Sequence, residues 1–239
     1  MIKNVLIAIV LSTICSVALA QIEDGYYHRA LGNNNEAGFY KNGKKDGSWI
    51  TELRDGTMMK VETYNEGVKE GIFLEFDRQG NLIKKEFYVN DELHGIAIEY
   101  SKEHKPISKM EYADGVLNGE VTRYYDDGSV QEESKYKIGQ KTGPSKWYDQ
   151  NRKLIAVFEY EDGLFNGTNK TFHTNGNIKT EEQYVNNIKN GPFKEYYPTG
   201  KLKISGNYKN GEKDGGWQEY DPHGTLVKES KFVEGKEQN

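Results

Sequence analysis

Cysteine is almost missing from this 239-residue chain. The single one, Cys15, lies in the N-terminal segment, so the rest can hold no disulfide and no thiolate chemistry. Apolar bulk is also scarce: hydrophobic residues make up 35% of the chain against 29% charged, too little for a thick two-layer core. Yet 12% aromatic residues is far too many for a disordered polymer. No Pro/Ser-rich linker and no shift in composition divides the chain, which reads as one domain. The formal charge of −5 supplies no electrostatic attraction for nucleic acid, and no nucleic acid is expected as a partner.

The only long apolar stretch is at the start. Lys3 gives a positive n-region, Val5 to Leu11 an apolar core, and Ala18-Leu19-Ala20 a small-x-small cleavage site, so residues 1–20 read as a signal peptide. The run is shorter than the roughly 20 residues that cross a bilayer, which argues against a retained anchor helix. Ile14, before Cys15, is a poor fit to the small residue that lipoprotein processing requires. Export to the periplasm or the extracellular space is the expectation.

What is present is tyrosine and glycine, 17 and 26 of them, at a fixed period of 24. Tyr40, Tyr64, Tyr88, Tyr112, Tyr136, Tyr160, Tyr184 and Tyr208 stand 24 apart, with Phe232 one step beyond. Such a period marks a repeat architecture, in which each unit packs mainly on its neighbours and needs little bulk core. Residues 21–39 form a degenerate capping segment, 40–231 eight repeats, and 232–239 a partial ninth. Each repeat carries two turn signals, such as Asn210-Gly211 and His223-Gly224, whose Asn-Gly and Asp-Gly forms favour positive φ and tight hairpins. Two turns in 24 residues leave about 6–8 per strand, so adjacent strands are antiparallel and helix is excluded by the density of glycine.

A glycine also recurs inside every repeat: Gly47, Gly71, Gly95, Gly119, Gly143, Gly167, Gly191 and Gly215. Glycine within a strand marks a bulge or a close approach to bare backbone, and a ring lying across it is the expectation here. The rings available are the tyrosine column, a second column from Phe76 to Tyr220, and a third holding Trp49, Phe73, Phe193 and Trp217. Rings on strands about 4.8 Å apart stack into a ladder worth roughly 0.2–1 kcal/mol per pair. Trp217 and Tyr220 are three apart, so either a bulge intervenes or both faces carry aromatics.

The pattern Tyr-x-x-Gly-x-x-x-Gly-x-Trp/Phe-x-x-Tyr/Phe-x-x-x-Gly-x-Leu, clearest at 64–82 and 208–226, resembles the MORN-repeat group, especially its bacterial MORN-variant, antitoxin-like members. The resemblance spans residues 40–235 and implies an all-β fold: an elongated single-layer antiparallel meander of stacked β-hairpins. Departures at Asp91, Asn187, His104, Arg152 and Pro106 predict looser units there. The resemblance carries no settled activity; eukaryotic relatives act as scaffolds or membrane-associated modules. A cytoplasmic antitoxin role fits poorly with a signal peptide.

No site chemistry stands out. There is no Gly-x-Ser-x-Gly, phosphate loop or zinc spacing, and repeated residues are the wrong statistics for catalysis, which needs one asymmetric constellation. His104 and His223 share a column but lie nearly five repeats apart, roughly 45–50 Å at about 4.8 Å per strand, so they share no metal. Asp126-Asp127-Gly128 reads as a turn, and Glu62, Glu86 and Glu182 as ion-pairing positions. The expectation is no catalytic residue, metal or cofactor. A non-catalytic scaffold for a protein partner reads best, with Trp49, Phe73, Phe193 and Trp217 as the candidate surface. A carbohydrate or cell-wall glycan binder is the alternative. Membrane association is disfavoured by the acidic charge, and the charged tail predicts a monomer.

Overall fold

The computed structural model describes residues 22–238, so residues 1–20, read above as a signal peptide, and Cys15 with them fall outside the described residues. Among these there is no helix. Strands follow one another from Gly25–Leu31 to Lys236–Gln238 in one open antiparallel sheet with no second layer among the described residues; where a return strand is split, as into Val68–Lys69 and Gly71–Phe76, both pieces pair with the same outgoing strand. This is the single-layer meander that the 24-residue period implies.

One repeat shows how the sequence builds it. The outgoing strand Met58–Asn65 carries Tyr64 next to its end, turns at Glu66-Gly67, and comes back as Val68–Lys69 and Gly71–Phe76. A wider turn leads into the next outgoing strand, Leu82–Val89. The tight turns have positive φ at both central residues, 51° and 89° at Asn210 and Gly211, the twist that matches a right-handed hairpin. Where asparagine or aspartate replaces glycine the turn is unchanged: Asn186 and Asn187 sit at 49° and 67°. His104 and Arg152 likewise adopt φ of 62° and 63°, and their amides donate to Ser101 and Asp149 carbonyls at 3.0 and 2.9 Å. The units expected to be loose therefore close like the others. In several of the wider turns an aspartate helps the closure, as where Asp221 Oδ1 accepts from the amides of His223 and Thr225 at 2.8 and 2.9 Å.

The recurrent in-strand glycine makes a bulge. Tyr64 pairs with Lys69, but Val61 pairs with Leu74, so two residues on the outgoing strand face four on the return strand. The eight glycines at these bulges have φ between 67° and 136°. The expected ring over this backbone is absent, since a Cβ built on Gly47, Gly95, Gly143 or Gly215 would meet nothing within 4 Å. Left-handed geometry, not a ring overhead, selects glycine there.

The bulge fixes which side chains share a face. Tyr64, Glu62 and Phe73 lie on one face, Val61, Ile72 and Leu74 on the other. Every buried residue except Ser129 belongs by alternation to the first, aromatic face. Both faces carry rings: Trp217 is buried on the aromatic face, while Tyr220 donates its hydroxyl to Gln218 at 2.8 Å on the other.

Candidate interaction surface

The four predicted residues occupy one row across the aromatic face. Trp49 is 1% exposed, Phe73 and Trp217 are buried and Phe193 is half-buried. None of the three buried rings is open to solvent, so a partner on this face meets what covers them. Trp49 lies flat on Gly38: a Cβ there would be 2.3 Å from the indole. Its N–H donates to the Phe39 carbonyl at 3.1 Å. Trp217 repeats this on Gly206, donating to the Asn207 carbonyl at 3.2 Å. The close approach of a ring to bare backbone thus exists, at glycines nine residues upstream of the bulge positions.

Lysines roof the rings. Lys45 Nζ stands 4.2 Å from the Trp49 centroid and Lys213 4.2 Å from that of Trp217. Tyr40 and Tyr208 pack edge-on at 4.8 and 5.1 Å, each such pair worth about 0.5–1.5 kcal/mol. A single layer thereby buries apolar area without a second sheet: rings lie along it and lysine stems close over them.

The middle of the row has smaller residues: Ala97, Val121, Ser145 and Asn169 stand where the ends have Trp and Phe. Their partners change in step, with Met110 against Val121 and Phe158 against Ser145, whereas Trp217 sits between Gly206 and Ser230. Beside Ser145, a buried carboxylate enters. Glu132 accepts from Ser145 Oγ at 3.1 Å and pairs with Lys141 and with Arg123 at 3.5 Å. Of the predicted acid column, Glu86 pairs with Lys84 at 2.7 Å and Glu182 with Lys189 at 3.0 Å, whereas Glu62 makes no ion pair among the described residues.

Electrostatic perturbation follows this packing. Burial and the Glu62 charge push the Tyr64 hydroxyl up to about 12. Burial, with hydrogen bonds to Glu133 and Glu181, does the same for Tyr148 and Tyr196. Burial works to raise Glu36, but Lys45 and Arg29 outweigh it and hold the carboxyl below its usual range. These shifts all belong to paired structural groups. Two histidines tie neighbouring turns: His104 Nε2 meets Asn81 Oδ1 at 2.7 Å, and His173 Nε2 the Tyr196 carbonyl at 2.8 Å. Among the described residues no three His, Cys, Asp or Glu side chains converge as metal ligands. A cleft of about 200 Å³ beside Phe73 is walled by alternating lysine and glutamate, including Lys60, Lys84, Glu62 and Glu86.

The opposite face holds a surface the column-by-column reading of the sequence missed. One row crosses the sheet through Ala37, Ile50, Val61 and Leu74. From Thr122 onward it is mostly charged, passing through Glu133, Lys146, Lys170, Glu181 and Lys194. Flanking the apolar half, Phe39, Ile72, Phe87 and Ile96 are 39–44% exposed, and Ile50 and Ile107 are both 37% exposed. The signal was in the sequence, at steps of 13 and 11 rather than 24, but only the bulge register reveals those steps.

The family model described as MORN repeat variant matches residues 69–90, 117–137, 165–186 and 189–210. Each match starts at the position of Lys69, runs through the bulge glycine and wide turn, and ends one or two residues after the column tyrosine. No curated protein matches the chain.

Proposed function

The chain belongs to the MORN repeat variant family, and on that premise we propose that it is a non-catalytic, exported scaffold holding a protein partner on the apolar half of the face opposite its aromatic ladder. The observation that carries this is the half-exposed cluster around Ile72, Phe87 and Ile96. Apolar surface of that extent, rimmed by charge, is characteristic of protein contact sites. The aromatic face supports the same reading from the other side, because its rings are engaged in the ladder. A carbohydrate binder needs open rings, and Trp49, Phe73 and Trp217 are covered. Export rests on the leader sequence, Lys3 to Ala20.

Affinity purification of the tagged chain from the exported fraction tests this. A stoichiometric protein is expected with the wild type, its retention falling about tenfold or more with Ile72→Lys, a change of roughly 1.4 kcal/mol. Equal retention by the variant, or recovery of glycan alone, would overturn it.

A further inference from the structure

We infer that the partner on this apolar half-face is a second copy of the chain, the two sheets packing face to face about a two-fold axis. The inference rests on the reading of this face as the contact surface and names its occupant. The apolar half extends over seven successive ladder positions, from Asn34–Lys41 to Pro106–Ala113. At about 4.8 Å per strand and roughly 3.3 Å per residue over about six residues, the face covers on the order of 600–700 Å². A stable standard-size interface needs about 800 Å² from each partner, whereas a typical monomer exposes a largest apolar patch of about 300–600 Å². Two copies therefore come close to what a dimer requires.

The chemistry of the patch suits a second sheet. A sheet with one apolar face is stable when another layer covers it, and here the described residues supply none. Ile50, Ile72, Phe87, Ile96 and Ile107 are β-branched or aromatic side chains standing off a pleated surface, the kind that interdigitates between sheets about 10 Å apart. An isologous contact needs only that the patch complement itself, which an apolar surface does. Lys85 and Lys109 stand in its central row and Glu111 stands opposite Ile96; their stems can lie flat while the charged ends reach the rim. Beyond Thr122 the alternation of Lys and Glu stops the contact from spreading, leaving the two C-terminal halves free of the sandwich.

Sedimentation equilibrium of the purified chain tests the inference, comparing wild type, the double variant Ile72→Lys/Ile96→Lys, and Ile138→Lys. Ile72 and Ile96 are each 44% exposed, so lysine can be accommodated without unfolding, which circular dichroism checks. Ile138, 74% exposed in a tight turn, lies outside the patch. The expected result is a dimer for wild type and Ile138→Lys, with association weakened by about a hundredfold or more in the double variant. A wild-type monomer at every concentration would overturn the second-copy inference, as would a dimer indifferent to both lysines. If the monomer still captured a different protein in a lysine-sensitive manner, the scaffold reading would stand and only its occupant would change. Lysine-sensitive flotation of a monomer with phospholipid vesicles would overturn both and give the face to a membrane.

Discussion

Replacing Gly38 by alanine isolates the contact on which the aromatic row is built. The backbone at Gly38 lies outside the left-handed region, so alanine brings no conformational strain and its whole cost is steric. Its Cβ would stand 2.3 Å from the Trp49 ring, while ordinary contact begins at 3.4 Å, so the indole must retreat by more than an ångström. The retreat is opposed twice. The ring is packed under Lys45 and against Tyr40, where overpacking costs about 1–3 kcal/mol. It is also tied to the Phe39 carbonyl by a 3.1 Å hydrogen bond, whose loss adds about 0.5–1.5 kcal/mol. Together these predict a destabilisation of about 2–4 kcal/mol, read as a lowered midpoint in urea denaturation. Gly216→Ala is the control: it too lies outside the left-handed region and has nothing within 4 Å, so it should be neutral or gain up to about 1 kcal/mol. On a Trp49→Val background, which copies the Met110/Val121 pairing of another repeat, Gly38→Ala should cost little. If Gly38→Ala matches Gly216→Ala in the wild-type background, the ring-on-backbone account is wrong.

Loss of Lys141 should be costly for a different reason. Glu132 is almost fully buried, and Lys141→Met removes its nearest cation, predicting about 3 kcal/mol of destabilisation; Lys141→Met/Glu132→Met should regain most of it, as a thermal melt of both would show. The tyrosines give a pH dependence. Because the hydroxyls of Tyr64, Tyr148 and Tyr196 are raised from 10.0 to about 12, the stability they contribute is complete below pH 10 and is lost as pH rises towards 12. Ultraviolet titration should show part of the tyrosinate signal held back towards pH 12 and appearing together with unfolding; a single titration centred at pH 10.0 with no delayed fraction would contradict it.

The tyrosine period, the paired turns and the antiparallel order were all legible in the sequence. Tight turns are local: Asn210-Gly211 needs only its own two residues to adopt positive φ, and a run of such turns leaves a meander as the connection. The ion-pairing role of Glu86 and Glu182 was legible for a similar reason, since it repeats in a column beside lysines. The placement of the aromatic row was not. A residue's neighbour across the ladder depends on register, and each bulge slips that register by two residues on one strand. The sequence shows a glycine at Gly71, whereas only the pairing of Tyr64 with Lys69 and of Val61 with Leu74 shows what the glycine does. That slip sets Trp49 on Gly38 and lines up Ile50, Val61 and Leu74 on the far side. The sequence by itself determined the repeat, its turns and its strand order, because those are short-range consequences of φ and spacing. Which rings are buried, and which half-face leaves apolar side chains exposed, was decided by the tertiary structure, because both depend on hydrogen-bond register between strands.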